Sequence, residues 1–433
     1  MHDNIADRKQ SRAPSPLNGR TTTQVPNPFR PVHGVAPAIV LCAIAALLVG
    51  CASPTDPDTP RRRIAEPSKY FLNTLHISEY DEGFDVSELP DGGFIFAGRT
   101  WMAHTASIDV LLVRTDAEGI VLWKKTFGGV YEDQAYSVEH TSDGGFIIVG
   151  TTESYTNGFT DIWLIKTDAQ GTMLWNRSYG GTSYDYGLDV RECFNGGYIV
   201  AGQSQQSLTG GKYAMLLRTD ELGNEIWNKL YGGRDGDIAA SVDQLADGGF
   251  VVAGATTSAT TGSSALWVFR TSPSGEILWD RSISGAQSNI GTRLHTLADG
   301  SVAVIGYSMP PNSQNSNMLF VRLDPAGDVT VNTILHDNAF GTGIDEAADG
   351  NFVVCGYTNP YSGDASDIVL SKVSRDGNVL WTRLIGGNRR DRAAAVVITS
   401  DNGYLLTGST RSYGHGDLDL LMLKTNDIGL YEE

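Results

Sequence analysis

The sequence predicts an all-β fold, a seven-bladed β-propeller with four strands in each blade. The turn motif Asp-Gly-Gly-Phe recurs, in full or in part, at a near-constant spacing of 52 residues with one step of 50. Its seven copies begin at Asp91, Asp143, Asn195, Asp247, Asp299, Asp349 and Asp401. A period of about 50 residues with strand-like content is typical of propeller blades.

One copy of the repeat shows the four strands of a blade. The predicted strands are A (Gln134–His140), B (Phe146–Thr152), C (Asp161–Thr167) and D (Met173–Tyr179). Glycines supply the positive φ that the A–B turn requires. Strand C is apolar on both faces, which predicts burial between two neighbouring blades.

The two ends of the repeat region predict how the ring closes. The last copy has its strand C at Asp419–Thr425, and the sequence ends at Glu433, where strand D should begin. A strand-like segment without a blade of its own, Tyr70–His76, precedes the first strand A. We therefore expect this N-terminal strand to complete the last blade and to remove the open sheet edges.

The N-terminal region predicts export. Residues 35–50 form an apolar run that follows Arg30 and is shorter than the roughly 20 residues needed to span a bilayer. We assign residues 1–50 to a signal peptide with a long n-region, 51–67 to a flexible tether, and 68–433 to the propeller domain.

The end of the apolar run, Leu48-Val49-Gly50-Cys51, resembles the lipobox of bacterial lipoproteins. The resemblance implies that Cys51 carries palmitate-type acyl chains and anchors the protein to a membrane. Because Ala52 rather than Asp follows the cysteine, it also implies the outer membrane, with the propeller facing the periplasm or the cell exterior.

The net charge limits which classes of partner the protein can bind, and the cysteine positions indicate whether a disulfide can form. The chain has a net charge of −18, which becomes −21 without residues 1–50, since these carry five Lys/Arg and two Asp/Glu. Such an acidic protein disfavours nucleic acid and is compatible with cations, basic proteins or neutral glycans. Cys193 and Cys355 lie in distant repeats, so we expect no disulfide between them.

A repeated aromatic position lies on strand D. Its members are Phe71, Trp123, Trp175, Trp227, Trp279 and Trp381, with Val331 breaking the series. The segment from Lys166 to Trp175 resembles the tryptophan-docking repeat of quinoprotein-like propellers, in which the Trp packs between blades. The quinone and metal ligands of the quinoprotein dehydrogenases are missing from this sequence, so the resemblance implies the fold and not redox chemistry.

Two charged positions also repeat. Strand C ends in a base in all seven copies, at Arg114, Lys166, Arg218, Arg270, Arg322, Lys372 and Lys424. We expect these bases to pair with an acid or a carbonyl between blades, with an anion site as the alternative. An acidic ring precedes strand A, at Asp81, Asp133, Asp185, Asp237, Asn289 and Asp391, and blade 6 has Ala339 instead.

The acidic ring has two interpretations. Each carboxylate could cap its own loop or bond to the next blade. Alternatively the ring could bind a hard cation such as calcium, which prefers clustered oxygen ligands. The same face carries polar loops with Trp101, Tyr155, Tyr361 and Tyr413, and this composition suits glycans or extended peptides.

The sequence carries no phosphate loop, nucleophile motif or metal-spaced His/Cys cluster. It also resembles secreted bacterial and archaeal propellers with Asp-Gly-Gly-Phe repeats, a group that implies fold and location rather than an activity. Our first hypothesis is a non-enzymatic binding or scaffold lipoprotein. The alternatives are a carbohydrate-active enzyme with a close acid pair at the channel mouth, and an outer-membrane assembly factor.

Overall fold

The structure is a computed structural model that describes residues 69–431 apart from 234–235, 259, 261–262, 286, 312, 314 and 359–364. The predicted signal peptide, Cys51 and the tether lie outside the described residues. Among the residues that are described, no helix is long and apolar enough to cross a membrane.

The described residues form 28 strands in seven four-stranded antiparallel sheets, which confirms the predicted fold. The closing strand and blades 1 to 3 are β1 (Phe71–Leu75), β2 (Asp81–Glu88), β3 (Phe94–Met102), β4 (Ser107–Thr115), β5 (Val121–Phe127), β6 (Asp133–His140), β7 (Phe146–Thr152), β8 (Asp161–Thr167), β9 (Met173–Tyr179), β10 (Asp185–Glu192), β11 (Tyr198–Gln205), β12 (Lys212–Thr219) and β13 (Glu225–Tyr231). Blades 4 to 7 are β14 (Ile238–Gln244), β15 (Phe250–Thr256), β16 (Ala265–Thr271), β17 (Ile277–Ile283), β18 (Ser288–Thr296), β19 (Val302–Met309), β20 (Asn317–Leu323), β21 (Val329–His336), β22 (Ala339–Glu346), β23 (Phe352–Thr358), β24 (Ile368–Val373), β25 (Val379–Ile385), β26 (Asp391–Ile398), β27 (Tyr404–Thr410) and β28 (Asp419–Thr425).

The ring closes as the sequence predicts. Strand β1 pairs antiparallel with β28, from Phe71 opposite Lys424 to Leu75 opposite Leu420, in a sheet ordered β1-β28-β27-β26. The N-terminal strand therefore supplies strand D of blade 7. Because the pairing joins the two ends of the domain, it removes the sheet edge that an unpaired β28 would expose.

The hydrophobic core lies between the blades. All seven residues of β8 are buried, as expected for a strand covered on both faces. The strand D aromatics pack against the first residue of strand B in the next blade, with ring centroids 6.1 Å apart for Trp123 and Phe146 and 5.8 Å apart for Trp381 and Tyr404. The predicted packing of these aromatics between blades is confirmed.

The bases at the end of strand C pair within their own blade, so the expected pairing between blades is wrong for six of the seven. Lys166 Nζ lies 2.9 Å from Asp143, and Lys424 Nζ lies 2.9 Å from Asp401. Strand C runs antiparallel to strand B, which brings its end back beside the A–B turn of the same blade. Arg322 instead donates to the next blade, at the carbonyl of Arg375, and Lys372 also forms a hydrogen bond with Tyr404 of the next blade.

Cys193 and Cys355 are both buried and unpaired, which confirms that no disulfide joins them. Cys193 belongs to the core cluster between blades 3 and 4, and Cys355 to the cluster between blades 6 and 7. Burial raises the pKa of both thiols to about 12. These cysteines are therefore packing residues, protonated at neutral pH.

Candidate functional site: the channel and its A–B mouth

The channel is lined by strand A of every blade, since strand A is at one end of each sheet and contacts the strands A of both neighbouring blades. The strands A end at the A–B turns, so their last residues surround one mouth. We call this side, which also carries the C–D turns, the A–B face. The opposite side, with the D–A and B–C loops, is the loop face.

A buried ionic network closes the channel. Arg293 of blade 5 donates from Nη2 to Asp85 Oδ1 of blade 1 at 2.9 Å and lies 3.5 Å from Asp189 Oδ1 of blade 3. Ser137 Oγ of blade 2 lies within hydrogen-bond distance of both carboxylates, at 2.9 Å and 3.0 Å, and its one proton can be donated to either. Four blades are thus linked through side chains, and no single blade could position this network alone.

The network keeps Asp189 charged. Burial alone would raise the pKa of Asp189, but Arg191 and Arg293 together with two hydrogen bonds hold it below its usual range. Arg191 Nη1 lies 3.2 Å from Asp189 Oδ1. Asp189 also accepts hydrogen bonds from Ser241 Oγ and from the backbone of Val242. The charges are therefore compensated, as buried ions require.

The rim of the A–B mouth is formed by the strand A residue two positions after each network position. The type of this rim residue differs in nearly every blade. In repeat order these residues are Ser87, Glu139, Arg191, Asp243, His295, Asp345 and Val397. A cavity of about 170 Å³ opens here, lined by five of them together with Arg293. The repeated fold does not require charged residues that differ from blade to blade at this position. The rim is therefore the best candidate for a functional site.

Two rim residues have perturbed protonation. Burial raises the pKa of Glu139 to about 7, although Arg191 and the N–H of Glu192 oppose the shift. Burial lowers the pKa of His295, but the hydrogen bond and charge of Asp345 outweigh it, so the net shift is upward. His295 Nδ1 lies 3.2 Å from Asp345 Oδ1. The rim can therefore exchange protons near neutral pH.

A groove of about 880 Å³ leads outward from this rim along the boundary of blades 2 and 3. Glu139 and Glu192 line its inner end, and Trp175 lines its outer end. Three apolar side chains on it are solvent-exposed, namely Phe194 (77%), Leu222 (62%) and Leu174 (58%). We call this surface, with the adjoining rim, the A–B groove.

Sequence reasoning placed the site on the other face and missed this groove. One signal was available, because Phe194 immediately precedes the turn motif where the other copies have small or polar residues. These residues are Pro90, Ser142, Ala246, Ala298, Ala348 and Ser400. Because the other six blades fold with a small or polar residue here, the large apolar side chain of Phe194 is not needed for the blade structure.

The acidic ring lies buried at the blade interfaces, where its members accept hydrogen bonds from their own loops. Asp133 accepts from the backbone of Gly129 at 2.9 Å and from Ser154 Oγ at 2.6 Å. Asp391 repeats this arrangement with Gly387 and Ser412. Asn289 donates instead to the carbonyl of Ile283. This is the geometry that the capping interpretation predicts.

Four ring members also face a second acid, which the sequence analysis did not consider. The second acid is the residue at the start of strand C in the preceding blade, and the pairs are Asp109 with Asp133, Asp161 with Asp185, Asp367 with Asp391, and Asp419 with Asp81. Burial, followed by the charge of the other acid, raises the pKa of Asp109, Asp185 and Asp367. These pairs lie at regular interfaces, whereas the enzyme hypothesis expected one pair in an irregular sector.

The predicted loop-face aromatics differ in exposure, since Tyr155 is exposed whereas Trp101 and Tyr413 are half-buried. Tyr155 donates its hydroxyl to the carbonyl of Gly128 at 2.9 Å, and Tyr413 donates to Gly386 at 2.9 Å. Tyr361 lies outside the described residues. The structure adds a stacked pair that the sequence analysis missed, Phe159 and Tyr184, with ring centroids 5.1 Å apart.

No family model matches the sequence, and no curated protein matches it either. Solved structures do. Virginiamycin B lyase from Staphylococcus aureus with quinupristin has a TM-score of 0.51 at 13% identity, covering 82% of this chain and 99% of that one. Puromycin hydrolase has a TM-score of 0.52 at 12% identity, covering 82% of this chain and 55% of that one. At these identities the likeness is one of fold, that of a β-propeller.

The raised pKa of Glu139 predicts a pH-dependent penalty. A carboxyl group whose pKa rises on folding destabilises the protein as pH rises from its unfolded value, near 4.5, to its folded value of about 7. We expect Glu139→Gln to be more stable than wild type at pH 8, by up to about 3 kcal/mol, and similar to it near pH 4. Urea denaturation at both pH values measures this. An equal effect at both would show that the gain is not electrostatic.

Proposed function

We propose that this chain is a membrane-anchored, extracytoplasmic binding lipoprotein that recognises a protein segment with cationic and apolar side chains. The A–B groove is the observation that supports the proposal. It combines exposed apolar side chains with the acidic rim of the channel on one continuous surface. This location replaces the loop face as our first choice for protein recognition.

The groove has the composition of a recognition surface for a basic, apolar segment. Glu139, Glu192 and Glu221 line it, while its one base, Lys166, is paired with Asp143. An exposed aromatic side chain such as Phe194 supplies a large contact area with few rotatable bonds, which is typical of binding hot spots. The strongly acidic surface would also steer basic partners toward the protein.

The ionic network bears on how a ligand would bind. Arg293 joins blade 5 to blades 1 and 3, so a chain could not thread the channel without breaking buried ion pairs. A ligand would instead lie along the groove, with a cationic group at the rim. Glu139 and Asp243 belong to that rim and would receive the charge.

We predict that Phe194→Ala weakens binding of short synthetic peptides that contain both Arg and Leu or Phe, by about tenfold or more. Truncation of a central aromatic anchor typically has this effect. The measurement is fluorescence polarisation with a peptide series in which cationic and apolar content vary independently. Binding should also weaken as salt concentration rises, because part of the affinity is electrostatic.

A matched control is available on the loop face. Phe159 is also an exposed aromatic residue, at 48%, so Phe159→Ala tests whether any loss is specific to the groove. The proposal requires that Phe194→Ala weakens binding and Phe159→Ala does not. Equal losses in both variants, or no preference for cationic peptides, would contradict it.

The membrane anchor gives a separate prediction. Cys51→Ala should abolish incorporation of labelled palmitate and should release the protein from the membrane fraction, because the acyl chains supply the binding energy. Labelling followed by membrane fractionation measures both. Ala52→Ser is a matched control at the neighbouring position and should stay anchored. Retention of Cys51→Ala in the membrane would contradict a lipid anchor at this residue.

A second surface could recognise glycans. The stacked rings of Phe159 and Tyr184 lie on the loop face, which also carries the exposed Tyr131 and Tyr155. Flat aromatic faces and polar loops suit sugar rings. In a glycan array, Phe159→Ala should then lose binding while Phe194→Ala keeps it, the reverse of the pattern expected for peptides.

A further inference from the structure

The repeated acid pairs at the blade interfaces leave oxygen atoms without a partner. Asp161 is fully buried at the start of β8, and its Oδ2 accepts a hydrogen bond from the backbone of Asn157 at 3.0 Å. Its Oδ1 is buried and has no hydrogen-bond partner, and neither has Asp109 Oδ1 at the equivalent position of blade 1. A buried carboxylate oxygen without a donor is strongly destabilising.

The unpartnered oxygen faces the second acid of its pair. A side-chain carbon placed on Gly180 would overlap Asp161 Oδ1 and would lie 2.8 Å from Asp185 Oδ2. Both carboxylates therefore face one space beside Gly180. The same arrangement recurs beside Gly386, where Asp367 and Asp391 converge, and Gly128 contacts Asp109 in the same manner.

The fourth pair, Asp419 with Asp81, serves as an internal comparison. In this pair a side chain fills the space that lies beside a glycine in the other three pairs. At the closing interface the position of these glycines, five residues before the ring acid, is His76. Its Nδ1 lies 2.8 Å from Asp419 Oδ1, and ligand atoms of His76, Asp81 and Asp419 all lie within 4.8 Å of one another. The closing pair thus has a resident partner for the oxygen that lacks one in Asp109 and Asp161.

We propose that the acid pairs beside Gly128, Gly180 and Gly386 each bind a hard divalent cation, of which calcium is the best fit. All the facing side-chain ligands are oxygens, which hard cations prefer. Ser183, in the loop between Gly180 and Asp185, also has a buried hydroxyl without a partner. An open depression lined by Gly180, Gly181 and Asp185 gives access for the ion and for the waters that complete its shell.

The positions of the pairs indicate what the cations would do. Each site joins strand C of one blade to the first residue of strand A of the next, and the four acid pairs occupy consecutive interfaces around the closing strand. At the other interfaces the equivalent of Asp161 is Tyr213, Ala265 or Asn317. The cations would thus stabilise the half of the ring that contains blade 7, where β1 pairs with β28 and closes the ring.

The test uses the purified full chain, calcium as the only added ligand, and Asp161→Asn. We expect calcium to raise the urea midpoint of the chelator-treated protein and calorimetry to show three equivalents. Asp161→Asn should lose about one third of each response. It should also be more stable than wild type in chelator, because the amide removes the like-charge repulsion and can donate to Asp185.

Asp237→Asn is the matched control, because Asp237 belongs to the ring but the position equivalent to Asp161 in the preceding blade is Tyr213 rather than an acid. This variant should keep all three equivalents, whatever its stability. A wild-type protein that binds no calcium, while Asp161→Asn is still stabilised, would show that a shared proton occupies the pair and would overturn the proposal. Full calcium binding by Asp161→Asn would overturn it as well.

Discussion

Replacing Arg293 with Met should destabilise the propeller by roughly 3–5 kcal/mol, the cost typical of removing one partner from a buried ion pair. Arg293 is the cation that lies between Asp85 and Asp189, which are 1% and 0% exposed. Without it Asp85 keeps its hydrogen bonds from Ser137 and Val138 but loses its ion-pair partner, and the charge of Arg191 acts on it from further away. The loss should therefore be electrostatic rather than a loss of packing.

Urea denaturation of Arg293→Met and of Asp85→Asn/Arg293→Met separates these causes. Removing the uncompensated charge should recover much of the lost stability in the double variant, because polar and apolar replacements of a whole buried pair are often nearly neutral. Arg281→Met is the control for a solvent-exposed pair, with Asp328 at 3.4 Å, and should change stability by less than about 1 kcal/mol. A similar small effect at Arg293 would mean that the network does not hold the ring.

The blades were predictable because each strand is local in sequence. Phe146–Thr152, Asp161–Thr167 and Met173–Tyr179 have the predicted bounds, since turn glycines and apolar alternation fix where these strands begin and end. The closing strand was predictable for a similar reason, as one blade lacked a strand and one strand lacked a blade. It is shorter than expected, Phe71–Leu75 rather than Tyr70–His76.

The site was not predictable, because its residues meet only when the ring closes. Arg293 and Asp85 are 208 positions apart, and no turn or periodicity relates them. The acid pairs join strand C of one blade to the first residue of strand A of the next, which requires knowing how blades pack. The partners of the strand C bases were misassigned because these partners lie in the same blade. A repeat alone does not distinguish pairing within a blade from pairing between neighbouring blades.

Gly150→Ala should destabilise the protein by at least about 3 kcal/mol, through a collision with the backbone. Strand β6 carries a bulge between Ala135 and Ser137, opposite Gly150 in β7. A β-carbon on Gly150 would overlap the carbonyl oxygen of Gln134, a backbone atom that cannot rotate away. All seven strands A have this bulge, and all seven strands B have glycine opposite it.

Urea denaturation measures the loss, and Gly181→Ala is the matched control. A β-carbon on Gly181 would have no atom within 4 Å, so that variant should remain within about 1 kcal/mol of wild type. Comparable small losses in both variants would show that the bulge can relax around an added methyl group.

The bulge connects this glycine to the channel. It leaves two consecutive residues buried in strand A, where simple alternation would bury one. Ser137 joins the ionic network, while Val138 packs in the core between blades 1 and 2. Each blade can therefore place one side chain in the channel without giving up its core contact. The repeated glycine maintains that geometry, and the residue type at the channel position is then free to differ between blades.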